Sequence, residues 1–324
     1  MPRLRRTRLN GPGISRVRVG RGVRFVDVAG NPITDDVVLA RCRGLGIPPA
    51  WREVWIAPAA HDHIQATGID AAGRRQYLYH PRWRETQEQL KFDRMLDFAD
   101  ALPAARRVVT AHLRTDGVGM QRVLAGAFRV LDTTGIRSGS EEYERDNGSY
   151  GLTTLLGLHV TVSRDHKVVL RFPGKSGKEW WCEVDDADLA ALITVLKRKG
   201  PQRRLFEYKD SAGRWRPIKQ EDVNAYIRER TRGEFTAKDF RTLQGSAAAA
   251  SSLANAKATG SARGISRAVT AAYEAAAEVL GNTPAIAKKS YVDPRIIDRF
   301  ERGEIVPTGN RTSVELALRP LVGA

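Results

Sequence analysis

Residues 158–184 read LHVTVSRDHKVVLRFPGKSGKEWWCEV, and this stretch indicates how the chain around it folds. It contains three short runs rich in β-branched and aromatic residues, namely Leu158–Ser163, Val168–Phe172 and Trp180–Val184. Polar or glycine-containing turns separate the runs, so the stretch predicts a three-stranded β-meander with two short turns. Because the flanking sequence has helical periodicity, we expect the meander to be a small sheet within a mainly helical domain.

The flanking sequence carries both helical spacing and helix-start signals. Apolar residues recur among charged ones at near-helical spacing over Glu85–Ala101. Thr236 followed by Asp239 is a capping-box signature, and Thr283-Pro284 places an N-cap residue before a proline at the first helical position. Further predicted helices cover Arg106–Leu113, Val118–Leu131, Asp186–Lys199, Lys219–Arg230, Thr236–Ala256 and Ile265–Leu280.

The start of the chain has short strand patterns in place of helical spacing. Val23–Asp27 and Val54–Ile56 read as short strands, and Ile64–Thr67 with Gln76–Tyr79 flank a glycine-containing turn, which predicts a hairpin. The change to helical spacing after Arg84 places a domain boundary near residue 90. We therefore predict an α+β protein with a small β-rich domain over residues 1–90 and a mainly helical domain over residues 91–324.

The charge of the chain points to a polyanionic partner. The 324 residues include 53 Lys and Arg against 37 Asp and Glu, which gives a formal net charge of +16 and a pI near 10.2. Such an excess on a chain with 42% hydrophobic residues is typical of a folded protein that binds nucleic acid. The first 24 residues contain no acid, and we expect their arginines to contact phosphates. These are Arg3, Arg5, Arg6, Arg8, Arg16, Arg18, Arg21 and Arg24.

Several other function classes are disfavoured. No apolar run approaches the roughly 18 residues of a membrane span, and Cys42 and Cys182 lack metal-ligand or disulfide spacing, which fits a reducing cytoplasm. His61-Asp62-His63 reads as a solvated turn rather than a metal site. Gly174-Lys175-Ser176 lacks the earlier P-loop glycine, since Val169 stands there. We expect no metal, no cofactor and no bound nucleotide, and a cytoplasmic, nucleoid-associated location.

The remaining candidate functional residues are cationic side chains on turns and at a helix start, together with one tyrosine. Arg137 lies in a glycine-serine turn, Lys175 lies on the turn after the second meander strand, and Lys238 and Arg241 lie three apart at a helix start. Tyr291 follows a short helix near the C-terminus. Each of these taken alone reads as an ordinary surface or packing residue, and their order along the chain carries the information.

That order and its local motifs resemble the type IB DNA topoisomerases, particularly the compact poxvirus-like enzymes found in bacteria. The resemblance covers nearly the whole chain. The motifs are IPPAW at 47–51, GRRQYLYH at 73–80, TAKDFRT at 236–242 and GNTPAIAKKSY at 281–291. It implies a β-rich domain that clamps duplex DNA, with contacts from Arg74, Gln76, Tyr77 and Tyr79. It also implies a catalytic domain over residues 91–324.

The same resemblance implies the active-site roles. Tyr291 would be the nucleophile, with Arg137, Lys175 and Arg241 as cationic helpers and Lys238 as a second phosphate-facing residue. Asn282 stands where many relatives carry histidine. An amide can still donate a hydrogen bond to a phosphate oxygen, but it adds no charge and moves no proton.

These residue types suit attack of a tyrosine on a phosphodiester. Two guanidiniums and the amide of Asn282 stabilise the charge that develops on the phosphate oxygens, which is the role that a metal plays in many other enzymes. Lys175 is the expected general acid for the departing 5′-hydroxyl. The 3′-phosphotyrosine would conserve the bond, so supercoils of both signs would relax without ATP. One active site suffices, so we expect a monomer.

Two alternatives remain open from the sequence. Tyrosine recombinases share the tyrosine chemistry, but they usually carry His-x-x-Arg where this chain has Lys238 and Arg241, and they usually begin with a helical domain. The second alternative is a basic DNA-binding protein that kept the fold and lost the chemistry, which only Asn282 favours.

Overall fold

The computed structural model describes residues 3–9, 11–20, 22–256 and 261–323, so Arg21 of the basic N-terminal segment lies outside the described residues. The chain divides into two compact units, Met1–Lys91 and Phe92–Ala324. The predicted α+β class is confirmed, because the first unit is built on a sheet and the second is mostly helical with a small sheet of its own.

The first unit contains an antiparallel five-stranded sheet with the order β2-β1-β3-β4-β5. One face of the sheet packs Phe25, Val54, Ile56 and Ala66 into a small core that also includes Cys42 of helix α1. The predicted hairpin is present as β4 and β5. The bounds are Ile14–Val19 for β1, Gly22–Val26 for β2, Asp36–Gly44 for α1, Arg52–Ile56 for β3, Ile64–Ile69 for β4 and Arg75–Tyr79 for β5.

Two elements of this unit were not predicted, namely β1 and α1. In β1, Ile14 shares one face with the two arginines and is buried in the core of the unit. Arg16 lies on the core side, where it donates hydrogen bonds of 2.8–3.0 Å to the carbonyls of Ile47, Pro48 and Trp51. A residue expected to contact phosphate therefore holds a loop of its own domain.

The second unit is built on helices that flank the predicted meander. The helices predicted over Glu85–Ala101 and Arg106–Leu113 form one helix, α2, which continues through Pro103. The helices are α2 (Pro81–Leu113), α3 (Met120–Thr134), α4 (Glu141–Asn147), α5 (Ala187–Lys197), α6 (Gln220–Thr231), α7 (Ala237–Asn255), α8 (Ala262–Leu280), α9 (Pro284–Ser290), α10 (Pro294–Glu301) and α11 (Arg311–Val322). The strands are β6 (Val160–Val162), β7 (Lys167–Pro173), β8 (Glu179–Asp185), β9 (Glu207–Lys209) and β10 (Trp215–Pro217).

Three phenylalanines join the central helices of this unit. The ring of Phe240 on α7 lies 4.8 Å from Phe98 on α2 and 5.0 Å from Phe128 on α3, both in edge-to-face geometry. All three side chains are fully buried. Edge-to-face aromatic pairs add to the free energy of simple burial. The start of α7, which carries two of the predicted site residues, is thereby fixed to the core.

The C-terminal helix is tied to the core by buried charges. Arg106 of α2 pairs with Asp132 of α3 at 2.7 Å and with Glu315 of α11 at 2.8 Å, and both carboxylates are buried.

Among the helices that the structure describes, none is long and apolar enough to cross a membrane.

The meander is confirmed as a sheet with the order β6-β7-β8. Val168, Leu170 and Phe172 of β7 point into the core, and the opposing residue Trp180 of β8 stacks on Phe172 with ring centroids 6.2 Å apart. The turn between β7 and β8 is closed by a 2.8 Å hydrogen bond from the backbone N–H of Gly174 to the carbonyl of Lys178. This turn carries Lys175 at the end of the sheet.

Candidate active site

Tyr291 stands at the C-terminal end of α9, in the C-cap position. Its backbone carbonyl accepts a 3.0 Å hydrogen bond from the hydroxyl of Ser246, and that hydroxyl in turn accepts a 3.1 Å bond from the backbone N–H of Asp293. Ser246 and Asp293 are fully buried. The backbone on both sides of the tyrosine is therefore held to α7, while its ring stays half-buried.

Arg241 is buried beside the tyrosine. Its guanidinium donates to the carbonyl of Gly135 and, at 3.1 Å, to the carbonyl of Leu280, while its Nε lies 3.5 Å from the Tyr291 hydroxyl. The guanidinium carbon also lies 4.9 Å from the centre of the tyrosine ring. Because two carbonyls fix the guanidinium, its charge stays close to the phenol.

Arg137 and Asn282 form a direct pair. The guanidinium of Arg137 donates a 2.6 Å hydrogen bond to Asn282 Oδ1, and the buried Nδ2 of Asn282 has no hydrogen-bond partner among the described residues. Asn282 follows Gly281, whose φ of +56° is left-handed and whose Cβ, if present, would lie 2.6 Å from the Trp180 ring. Glycine is required here on both counts. The amide is held with its donor unused.

Four predicted site residues line one cavity of about 190 Å³, whose lining includes Lys175, Asn282, Arg137 and Tyr291. Arg137 and Lys175 also line a neighbouring cavity of about 250 Å³ that extends to Tyr150. Lys175 is exposed, as expected for a side chain on the tip of a turn. Arg137 and Lys175 thus line both cavities.

The cations act on the acidity of the phenol. Burial is the largest single influence on the pKa of Tyr291, and it raises that pKa. The charge and hydrogen bond of Arg241, with the charges of Arg137 and Lys238, outweigh burial, so the pKa lies below its ordinary value. Lys238 itself is exposed in the first turn of α7. Three of the predicted site residues thus act on the phenol by their charge, while Lys175 and Asn282 line its cavity.

The predicted DNA-contact residues of the first unit do not form a single group. Arg74 and Gln76 both donate to Asp70, at 3.0 and 2.9 Å. Together with the backbone N–H of Arg74, which is the largest influence, they lower the pKa of Asp70 to about 2. Tyr77 and Tyr79 stack with ring centroids 6.1 Å apart and are each 38% exposed. Strand alternation places the two tyrosines on one face and Gln76 on the other.

The basic N-terminal segment is partly used inside its own unit. Arg5 pairs with the buried carboxylate of Asp62 at 2.8 Å, and the backbone N–H of Thr7 donates to Nδ1 of His63 at 2.9 Å. The tripeptide 61–63, read from the sequence as a solvated turn, therefore anchors this segment. Within the described part of the chain, no group of three or more histidine, cysteine or acidic side chains could hold a metal.

Sequence reasoning missed the residues that support the tyrosine. A Cβ on Gly245 would lie 2.9 Å from the Cβ of Tyr291, and Ser246 and Asp293 hold the tyrosine backbone. Trp180 lies under Gly281, with Arg241 6.0 Å from its ring. The one available signal was an isolated glycine inside a strong helical pattern, which indicates a packing reason when the helix is otherwise regular.

Comparison with known proteins assigns the family. A family model described as the catalytic core of eukaryotic DNA topoisomerase I matches residues 80–302, and one described as the N-terminal domain of bacterial DNA topoisomerase IB matches residues 22–70. The chain belongs to the type IB DNA topoisomerase family and is a DNA topoisomerase rather than a tyrosine recombinase.

Individual relatives agree with this assignment. The chain is 31% identical over 262 residues to the DNA topoisomerase 1B of Acanthamoeba polyphaga mimivirus, a match that spans 78% of this chain and 77% of the viral protein. It is 23% identical to the DNA topoisomerase 1B of vaccinia virus (strain Copenhagen) over 76% of each chain. The DNA topoisomerase 1 of Candida albicans is 26% identical over 48% of this chain and 19% of its own length.

Proposed function

We propose that this topoisomerase relaxes positive and negative supercoils in duplex DNA through a covalent 3′-phosphotyrosine on Tyr291, without ATP or metal. The observation that carries the proposal is the placement of the Tyr291 hydroxyl 3.5 Å from Arg241 Nε, in a cavity lined also by Arg137, Lys175 and Asn282. A nucleophile, fixed cations and an exposed amine surround one space of the size that a phosphodiester requires.

The cleavage step begins with the phenol. The lowered pKa of Tyr291 favours loss of its proton to solvent as the oxygen attacks phosphorus. The bond from Tyr291 to phosphorus forms while the bond from phosphorus to the 5′-oxygen breaks. Arg241 and Arg137 stabilise the charge that develops on the non-bridging oxygens, and Asn282 Nδ2 supplies one more donor.

The leaving strand takes a proton from Lys175. Lys175, on the exposed turn between β7 and β8, also lines the neighbouring cavity that Tyr291 does not line, and from there its amine would protonate the 5′-oxygen. The freed strand rotates about its partner. Reversal of the same steps expels Tyr291 and reseals the phosphodiester, so no external energy source is consumed.

The proposal also covers the roles of the two domains, the oligomeric state and the location of the enzyme. Residues 1–90 would clamp the duplex through Arg74, Gln76, Tyr77 and Tyr79, and residues 91–324 would carry the chemistry. The enzyme would act as a monomer, because all the proposed catalytic groups come from one chain. A nucleoid-associated place in the cytoplasm would follow from the DNA substrate.

Plasmid relaxation tests the proposal. Supercoiled plasmids of both signs are incubated in EDTA without ATP with the wild type, with Tyr291→Phe and with Tyr273→Phe. Tyr273 is a matched control because it is also a half-buried tyrosine near a lysine, Lys288, and it lines a different cavity from Tyr291. We expect relaxation by the wild type and the control, and none by Tyr291→Phe.

Two results would contradict the proposal. Relaxation by Tyr291→Phe would remove the assigned nucleophile. Binding of plasmid by the wild type without relaxation of either sign would instead favour a DNA-binding protein without activity. Denaturing the wild-type reaction with SDS should also trap protein on nicked plasmid, which measures covalent attachment directly.

A further inference from the structure

Helix α2 carries two neighbouring residues, Asp93 and Arg94, that reach the two segments on which the candidate site is built. Arg94 bonds to the first turn of α7, which carries Lys238 and Arg241. Asp93 bonds to the segment that follows Tyr291. Neither residue lines the active-site cavity, so any effect on the reaction has to act through other groups.

Arg94 makes a bidentate contact with Asp239. Its Nε and Nη2 each donate a 2.9 Å hydrogen bond to a different oxygen of that carboxylate, and Nη2 also donates to the carbonyl of Glu234. Asp239 meanwhile accepts 2.7 and 3.0 Å bonds from the backbone N–H and hydroxyl of Thr236, which closes the capping box. Because Asp239 stands between the two catalytic cations in sequence, the orientation of this turn sets where both are.

Asp93 reaches the tyrosine by a chain of polar contacts. Its carboxylate accepts a 2.7 Å bond from Arg295, whose guanidinium also donates to the fully buried carboxylate of Asp293 at 2.8 Å. The backbone N–H of Asp293 binds Ser246, and Ser246 binds the carbonyl of Tyr291. Four successive contacts therefore connect α2 to the backbone of the nucleophile.

We infer that Asp93 and Arg94 are positioning residues for strand cleavage, with Arg94 orienting the turn that carries Lys238 and Arg241, and Asp93 supporting the backbone of Tyr291. The inference rests on the proposed function of this site. Arg94 is the more important of the two, because it bonds directly to the turn that carries the cations, whereas Asp93 acts through Arg295, which keeps its bonds to Asp293 when Asp93 is lost.

The exposure of these pairs argues that they matter for geometry more than for stability. The side chains of Arg94 and Asp93 are 41% and 56% exposed, while those of their partners Asp239 and Arg295 are 12% and 31% exposed. Because water screens one end of each pair, we expect a modest contribution to the free energy of unfolding. The groups that they orient must, however, meet a phosphate within a fraction of an ångström. A displacement of about 1 Å at a reacting group lowers a rate by about 100-fold.

The test is single-turnover cleavage by Arg94→Gln, Arg94→Lys and Asp93→Asn at saturating protein, on a duplex whose short leaving strand dissociates after cleavage. We expect the rate constant to fall about 10-fold to 100-fold for Arg94→Gln and less for Asp93→Asn. Arg94→Lys should recover part of the loss, because one ammonium reaches one oxygen of Asp239 but cannot fork to both.

The matched controls come from an ion pair on the same helix. Arg319 of α11 is 42% exposed and pairs with Asp97 of α2, one turn from Asp93, and also with Asp100 of the same helix. Asp97→Asn and Arg319→Gln remove a surface pair of the same kind. Both should cleave within about two-fold of the wild type, since such pairs contribute little.

Three readouts separate positioning from damage to the fold. A positioning defect slows cleavage and religation alike, so the fraction of DNA held covalently at equilibrium stays at the wild-type value. DNA affinity and the thermal unfolding midpoint also stay unchanged. An unfolded fraction would instead lower the amplitude of cleavage at an unchanged rate constant. For Arg94→Gln, that result would overturn the inference. The exception is a fully folded Arg94→Lys variant that still cleaves more slowly than the wild type, which would keep it.

The outcome also distinguishes this inference from the proposed function. Wild-type cleavage rates in the Arg94 and Asp93 variants, with covalent complex still formed, would refute the positioning role and leave the function intact. Absence of any covalent complex in the wild type would refute the function itself. A loss equal to that of the Asp97→Asn control would show that the effect belongs to surface charge in general.

Discussion

Gly245 packs directly against Tyr291, and we predict that Gly245→Ala slows DNA cleavage while the protein stays folded. An alanine Cβ here would lie 2.9 Å from the Cβ of Tyr291, 3.1 Å from its carbonyl oxygen and 3.0 Å from Leu280. Carbon atoms in good contact are about 3.5–4.0 Å apart. Tyr291 or α7 must therefore move by about 0.5–1 Å.

The movement should affect stability and rate in different ways. Overpacking costs about 1–3 kcal/mol, and replacing a helical glycine by alanine returns roughly 0.5–1 kcal/mol, so the free energy of unfolding should fall by about 0–2.5 kcal/mol. A displacement of about 1 Å at the reacting group is expected to lower the rate constant of cleavage by about 100-fold. Rate and stability should thus separate.

Single-turnover cleavage at a site mapped by SDS trapping on plasmid DNA gives the rate constant, and urea unfolding gives the stability. Gly44→Ala is the matched control, because Gly44 is also in a helix, α1, and a Cβ there has no neighbour within 4 Å. The control should gain stability and cleave at the wild-type rate. If Gly245→Ala also cleaves at the wild-type rate, the contact between α7 and Tyr291 does not set the position of the nucleophile.

Three further predictions follow from the charges and donors. Because the phenolate is the reactive form and cations hold the pKa of Tyr291 below its ordinary value, the cleavage rate should rise with pH below that value, and Arg241→Gln should move the rise to higher pH. Asn282→Ala removes a phosphate donor and should slow cleavage by about 100-fold or more in a single-turnover assay. Arg106→Leu leaves the buried carboxylates of Asp132 and Glu315 with only the longer 3.4 Å contacts from Arg311, and it should lower the free energy of unfolding, measured in urea, by up to about 3–5 kcal/mol.

The parts of the fold that the sequence predicted are those set by neighbours along the chain. The meander over residues 158–184 follows from apolar runs with turns between them, and its strands observe the predicted order. Thr236 with Asp239 closes a capping box as predicted, and the hydroxyl of Thr283 accepts a 3.3 Å hydrogen bond from the backbone N–H of Ile286. These contacts span three residues, so the residue types alone determine them.

The parts that the sequence did not predict depend on residues far apart. Strand β1 looked like a basic tail, because nothing local shows that Arg16 donates to carbonyls more than 30 residues later. Arg94 and Asp239 are separated by 145 residues. A pattern of charges cannot indicate which of 53 cations meets which of 37 acids. The residues that hold the site in place therefore could not be predicted, whereas the order of its main residues along the chain could be recognised.

In the proposed mechanism, the amide at position 282 acts where many relatives have a histidine. Because Oδ1 accepts from Arg137, the amide orientation is fixed and Nδ2 is the atom left to meet a phosphate oxygen. That donor does not titrate, and the described side chains that line the cavity include no histidine. The pH dependence of cleavage should accordingly show no step near 6.5, the ordinary pKa of histidine, whereas Asn282→His should introduce one. A step near 6.5 in the wild type would mean that a histidine outside this cavity takes part.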